Sequence, residues 1–424
     1  MCVSEKLTYD SIIEIILSQQ CLHSLCKQLS SVAKKWIFQQ TFRIKFLKSP
    51  LKHHKSGYIF VNLHQILPMC KIKKTYKTIE VVDLFCGIGG LSYGMKCKGL
   101  DIKGGFDIDG TCEYAYKFNN QANFFHKNIF DVTREDIVKL YSNDCIRVLA
   151  GCAPCQPFSS YAFKNKTKDQ SKYDLLYEFG RLIKVVRPDI VTMENVPAIL
   201  TFKLKNVLQD FVKLLEDLHY YVSVKIVYCP DYGIPQTRKR LVLLASKFGE
   251  IKLIPATCTP DHYVTVRDTI GKLPPIKAGE TSATDALHRA AGLTPINLQR
   301  IKSTPMGGSW KDWPESLRLK CHKAETGKTY GSVYGRMSWD LPSPTMTTQC
   351  TGLGSGRFGH PEQDRAISAR EAALLQTFPM NYRFFEKEKE VSLGKVSRYI
   401  GNAVPPKLGE VVADSIIKHL NDLK

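Results

Sequence analysis

The stretch Ile79-Glu80-Val81-Val82-Asp83-Leu84-Phe85-Cys86-Gly87-Ile88-Gly89-Gly90-Leu91-Ser92-Tyr93-Gly94-Met95 decides how the chain is read. Its first seven residues are β-rich and run straight into a glycine-rich turn, which opens a helical segment. Glycines let a backbone approach a ligand closely, and a helix N-terminus offers free N–H groups. Strand, glycine turn and helix together make a nucleotide-binding arrangement. A second strand, residues 102–106, ends in Asp107-Ile108-Asp109, about twenty residues beyond the turn, where an acid can accept both hydroxyls of a ribose. The other use of an acid there is to cap a helix, and one of the two aspartates can be just that.

Downstream, a short segment at 124–131 leads to an apolar run at 146–150, which reads as a strand. It delivers Gly151-Cys152-Ala153-Pro154-Cys155-Gln156-Pro157-Phe158-Ser159-Ser160. A proline before a thiol has no N–H and a fixed φ, and it pushes the preceding residue toward extended geometry. This predicts a stiff loop at the carboxyl end of a strand, where open α/β sheets place their ligands. Cys152 and Cys155 also spell Cys-x-x-Cys, which leaves open a redox dithiol or half of a zinc site. Residues 175–186 are amphipathic and helical, and Pro188 ends them. Asp189-Ile190-Val191-Thr192-Met193 then reads as a buried strand tipped by Glu194-Asn195-Val196-Pro197, and a carboxylate at such a tip is costly unless functional or paired. A helix at 202–218, a strand at 221–228, the loop Gln236-Thr237-Arg238-Lys239-Arg240 and a strand at 241–245 follow. Strands alternating with helices predict an α/β, doubly wound and mostly parallel sheet.

The pattern breaks after Ser246. Residues 247–365 are rich in Pro, Gly, Thr and Ser, with Trp310, Trp313, Arg318, Tyr330, Tyr334, Arg336 and Trp339 scattered among them, and read as a smaller, irregular domain. Helical texture returns at 366–424, where Ser368 and Glu371 fit a capping box and Gly401-Asn402-Ala403-Val404-Pro405-Pro406 opens a terminal helix. Residues 1–75 form a block of their own, with twelve Lys/Arg against three Asp/Glu. Helical spacing at 11–29 and 32–38 allows a small helix-turn-helix unit or a basic helical extension that reads no sequence. The formal net charge of +20 over 424 residues calls for a polyanionic partner, nucleic acid before membrane. No apolar run approaches the ~18–20 residues of a membrane helix. Fourteen cysteines at irregular spacings, with no small-residue cleavage site after an apolar core, predict reduced thiols in a cytoplasmic protein.

In their order, the glycine loop, Pro-Cys-Gln, Glu-Asn-Val, Gln-x-Arg-x-Arg, the helix ending Leu-Gln-Thr-Phe-Pro and Gly-Asn-Ala-Val-Pro-Pro resemble the DNA cytosine-5 methyltransferases over about residues 78–424. The resemblance implies a Rossmann-like, S-adenosyl-L-methionine-dependent methyltransferase sheet (76–246, completed by 366–424) with a target-recognition domain at 247–365. It assigns Cys155, between Pro154 and Gln156, as the nucleophile that adds to C6 of cytosine. Glu194 is set at the N3 edge of the base, Arg240 at its O2 side, and Arg238 near the phosphates. For the cofactor it points to Phe85 and Ile108 on the adenine, Gly87 and Gly89 at the methionine moiety, and Asp107 on the ribose. Leu175 and Asn402 close the methionine side. Where the family has Asp-Ile against the adenine amino group this chain has Asn128-Ile129, and an asparagine carbonyl can still accept that hydrogen bond.

The chemistry explains the residue types. C5 of cytosine is a poor nucleophile until a thiolate at C6 makes it enamine-like, and a carboxyl at N3 turns the ring into an electron sink. The base has to leave the duplex to meet these groups. The expected partner is double-stranded DNA, bound by a monomer at the bacterial nucleoid, with a restriction endonuclease encoded alongside but not bound. No metal is called for. A tRNA-modifying relative would carry a Cys-Phe-Thr signature, which is absent here, and a silent regulatory relative would lack the cysteine or the glutamate, which are both present.

Overall fold

β1 (Thr78–Leu84) is the third strand of a seven-stranded sheet with the order β3-β2-β1-β4-β5-β7-β6. The other strands are β2 (Asp101–Asp107), β3 (Asn123–His126), β4 (Cys145–Gly151), β5 (Ile190–Asn195), β6 (Tyr221–Tyr228) and β7 (Lys239–Ser246). β1 to β5 run parallel, and β7 is antiparallel to both β5 and β6. The computed structural model describes residues 77–154, 174–201, 206–324, 327, 331–386 and 392–423. The predicted N-terminal helical block, Cys155, the start of the helix expected from 202, and Tyr330 lie outside these residues.

The central strands are mostly apolar because both faces are covered, as parallel sheets require. Val81, Val148 and Ile190 point to one hydrophobic cluster, and Val82, Leu149 and Val191 to the other. The helices supply the two layers: α1 (Gly90–Cys97), α2 (Glu113–Asn120), α3 (Arg134–Val138), α4 (Asp174–Val186) and α5 (Val207–Asp217). α4 buries Leu176, Phe179, Leu182, Ile183 and Val186, a stripe at helical spacing. Residues 77–424 form one compact unit by themselves.

After β7 come short helices, α6 (Val266–Ile270), α7 (Pro295–Lys302) and α8 (Lys320–Lys323), with isolated β-bridges. Long side chains hold this region together. The Arg336 guanidinium, 4 % exposed, donates to the carbonyls of Ile301, Thr304, His360 and Gln363 and to Asp364. Arg365 makes two 2.7 Å bonds to the Glu371 carboxylate. Glu371 opens α9 (Ala369–Leu375) in the capping box expected with Ser368. α10 (Leu393–Asn402) and α11 (Pro406–Asp422) complete the described chain. α11 lies against α1 so closely that a Cβ at Gly94 would come within 2.8 Å of the Gly409 Cα and collide with the Pro406 carbonyl.

Candidate active site

From β1 the chain steps outward to β2 and β3, then returns to β4 and β5 on the other side. The order reverses between β1 and β4, and their carboxyl ends open onto the crevice where such sheets bind ligands. Both loops singled out in the sequence leave the sheet there.

The β1 loop turns sharply, with positive φ at Phe85 (58°), Gly87 (50°) and Gly89 (88°). The two expected glycines have different tasks. A Cβ at Gly87 would meet nothing within 4 Å, so the space beside it is open. A Cβ at Gly89 would strike the Asn120 amide and the Tyr116 ring, so close packing also requires a glycine there. The Gly87 N–H donates to the Asp107 carboxylate at 2.7 Å, and the Asp109 N–H donates to its other oxygen at 2.8 Å. Each oxygen keeps a further lone pair. Burial raises the Asp107 pKa, opposed by these amide bonds. Asp109 is the cap: it accepts from the Thr111 N–H at 3.1 Å and pairs with Arg398 at 2.9 Å. That resolves the two aspartates, leaving Asp107 as the ribose candidate.

Ile108 is 66 % exposed, an apolar platform beside Asp107. Phe85 and Leu175 are half-buried, and Asn402 is exposed at the end of α10. Asn128 caps a turn, its Oδ1 accepting from the Phe130 N–H at 3.3 Å, and Ile129 is a core residue. Under the loop, Asp83 is 1 % exposed and accepts a 2.6 Å bond from Ser92, while its Oδ1 has no partner. Burial pushes this carboxyl up to about 7. An open glycine turn, a carboxylate with spare lone pairs, an apolar platform and an orphaned buried oxygen together fit an adenosyl ligand with a cationic tail.

The other half of the site comes from β5 and β7. Their antiparallel register sets Glu194 opposite Val242. Arg240, two residues before Val242, therefore falls on the same face as Glu194. Its Nε is 2.7 Å from Glu194 Oε1, with both side chains only 12–13 % exposed. The neighbouring Asn195 had no expected role. It is 2 % exposed, donates from Nδ2 to the Ala153 carbonyl at 3.2 Å, and accepts at Oδ1 from the Val196 N–H at 2.8 Å. A buried amide at a strand tip has to find such partners, which is the signal that could have flagged it.

The cysteine loop is therefore held at two points before Pro154: by Asn195, and by the Cys152 N–H donating to the Leu84 carbonyl at 3.2 Å. Burial, and then the Glu194 charge, drives the Cys152 thiol well above its ordinary pKa, the opposite of what a thiolate needs.

Arg238 is only 3 % exposed and donates from Nη1 to the Met346 carbonyl at 3.0 Å, so it clasps backbone. Gln236 and Gln376, both fully buried, extend the clasp. Gln236 Nε2 donates to Gln376 Oε1 at 2.6 Å, and Gln376 Nε2 donates to the Ala403 carbonyl at 2.6 Å. The Met346 N–H donates to Gln236 Oε1 at 2.9 Å. The arginine loop, residue 346 and the segment after Asn402 are thus tied together.

A doubly wound sheet with an adenosyl-type cradle on one side of its switch point, and a carboxylate–guanidinium pair on the other, defines the class: Rossmann-like methyltransferases. A family model for C-5 cytosine-specific DNA methylases matches residues 79–418, and the chain belongs to that family. It is 53% identical over 343 residues to the type II methylase M.HgiDII of Herpetosiphon aurantiacus, covering 81% of this chain and 96% of that one. It is 30% identical over 347 residues to the type II methyltransferase M1.HphI of Haemophilus parahaemolyticus, covering 80% and 87%. Solved structures share the fold. A protein described as a DNA modification methyltransferase encoded within an E. coli prophage superposes with a TM-score of 0.62 at 24% identity, covering 81% of this chain and 100% of that one. The Entamoeba histolytica methyltransferase EhMeth gives 0.52 at 17%, covering 81% and 99%. The chain is a DNA cytosine-5 methyltransferase of restriction–modification type. No described helix is long and apolar enough to cross a membrane.

Proposed function

We propose that the chain methylates C5 of a cytosine flipped out of one double-stranded DNA sequence, through a covalent bond between Cys155 and C6. The observation that carries this reading is the 2.7 Å Glu194–Arg240 pair beside the loop that leads into Cys155. Bound at Asp107 and Ile108, S-adenosyl-L-methionine supplies an electrophilic methyl group. The chain's own residues do the rest. The Cys155 thiolate adds to C6 while the Glu194 carboxyl gives a proton to N3 and Arg240 holds O2. The electron pair moved toward C5 would form the new bond to the methyl group as the methyl–sulfonium bond breaks, its electrons returning to sulfur, which leaves as a thioether. Loss of the C5 proton then expels the thiolate, and the N3 proton returns. Pro154 and the Asn195 anchor at Ala153 stiffen the chain leading into Cys155, which supports its use as a positioned nucleophile.

In this reading residues 247–365 recognise the target and the basic charge supplies sequence-independent affinity. The modification protects host DNA against a separately encoded restriction endonuclease. The test is Cys155→Ser, which should abolish methyl transfer while leaving DNA binding within a few-fold of wild type. DNA carrying 5-fluorocytosine cannot lose a C5 proton and should be trapped covalently by the wild type. Transfer by the serine variant, or no trapped complex, would sink the thiolate route.

A further inference from the structure

Region 247–365 has seven arginines, and six of them are engaged within the protein. Arg267 grips Asp340 with two bonds, Arg300 bonds Asn297 and the Leu317 carbonyl, and Arg318 bonds the carbonyls of Lys311 and Trp313. Arg336 and Arg365 are the clasps described above, and Arg289 is not free. Arg357 differs. It is half-buried, its Nε is shut off from solvent, and none of its nitrogens has a hydrogen-bond or ion-pair partner among the described residues.

Its stem is fixed nonetheless. Gly335 and residues 356–359 exchange backbone bonds, from the Gly335 N–H to the Gly356 carbonyl at 3.2 Å and from the Gly359 N–H to the Gly335 carbonyl at 2.8 Å. Arg357 lies so close over Gly335 that a Cβ there would be 2.8 Å from Arg357 Cγ and 3.0 Å from its Cβ. The next residue, Phe358, is buried at 2 % exposure. Ser355 donates to Gln349 at 3.1 Å, so the loop leading to the arginine is braced as well. A clamped guanidinium with a dry, unsatisfied nitrogen is costly in a free protein and becomes favourable once a ligand brings acceptors.

We infer that Arg357 is a specificity-determining residue that reads a guanine of the target sequence. This rests on the DNA-methylating reading above. The acceptor chemistry it would meet, paired oxygens or an oxygen beside a ring nitrogen, is offered on DNA by guanine O6/N7 and by phosphate. The fixed stem favours guanine, because a planar fork held in one orientation suits a bidentate base edge, whereas a flexible cation serves a phosphate as well.

The experiment begins with wild type expressed in a host lacking 5-methylcytosine, where sequencing of modified sites gives the motif. Each guanine of that motif, on either strand, is then replaced singly by 7-deazaguanine, which lacks N7. At one position wild type should lose between about 5- and 150-fold in kcat/KM, the worth of one bidentate base contact. Arg357→Ala and Arg357→Lys should lose a similar factor on the unmodified duplex and nothing more on the deaza duplex, and should methylate sites carrying another base there. Melting temperature and cofactor binding of both variants control for folding. Indifference of wild type to N7 at every guanine overturns the inference without needing a variant. So does a uniform loss across sequences with a weaker salt dependence and rescue by lysine, which marks a phosphate contact. A wild type that places no 5-methylcytosine in DNA defeats the functional reading itself, and this inference with it.

Discussion

With Arg240 Nε 2.7 Å from its carboxylate, Glu194 has a partner before any base arrives. The arrangement keeps a nearly buried acid tolerable in the free enzyme, and in the proposed reading the arginine stands ready for the base. Glu194→Gln keeps the size but cannot supply a proton to N3. It should lower kcat by roughly 10²–10⁴-fold, the range for loss of one acid–base group. Cofactor affinity by calorimetry should stay unchanged, since Asp107 and Ile108 lie on the other side of the switch point. Activity within tenfold of wild type would remove Glu194 from the chemistry. Glu194 and Arg240 were singled out in the sequence by their types and order, and the structure brings the two side chains together. Nothing local showed that Arg238 has partners at the Met346 and Gly401 carbonyls, far along the chain. Gly87 and Gly89 look alike in sequence; only the presence of Asn120 and Tyr116 beside one of them separates their tasks.

At the scale of elements, α1 is pinned by contact with α11. Gly94→Ala would push a methyl group into backbone at Pro406, Gly409 and Glu410, none of which is a flexible side-chain end. It should cost about 1–3 kcal/mol in a denaturant titration, typical of overpacking. Gly394→Ala in α10 meets nothing within 4 Å and should be neutral or stabilising, by up to about 1 kcal/mol. Equal effects of the two substitutions would refute the close-contact account. The central strands and α4 were legible because each carries its own pattern, a short apolar run or a 3.6-residue stripe. The capping box of α9 was legible for the same local reason. The antiparallel insertion of β7 between β5 and β6 was not, because strand direction is decided by pairing across the sheet. The layout of 247–365 was illegible too, since Arg336 and Arg365 organise it by contacts that leave no periodicity.

For the molecule as a whole, that arginine-centred region sets its response to acid. His360 is 2 % exposed, and its Nδ1 accepts the N–H groups of Glu362 at 3.2 Å and Gln363 at 2.9 Å. Burial depresses its pKa to about 4, despite attraction from Glu371. Burial works against the Glu371 carboxylate, but Arg365 outweighs it and holds that pKa below its usual value. The folded imidazole stays neutral while the unfolded one takes up a proton near 6.5. Stability is therefore fully present above pH 6.5 and is lost as pH falls toward 4, and the Glu371 contribution is lost further down in the same direction. The His360 share at pH 5 is about 2 kcal/mol. His360→Asn, which keeps an acceptor toward the same two amides, should flatten the fall in unfolding midpoint between pH 7 and 5. An unchanged slope would exonerate the histidine.

The cradle that α1 opens is braced by α11, so its parts are synthesised far apart in time. At ~5–20 residues per second, the glycine turn waits roughly 15–60 s between its own emergence from the ribosome and that of Pro406. Throughout that interval α1 has the sheet and α2 to pack on but lacks the backbone of α11 on its other side. In the proposed reading, a chain broken off before Pro406 should therefore bind no cofactor, which a calorimetric titration of a chain ending before α11 would check.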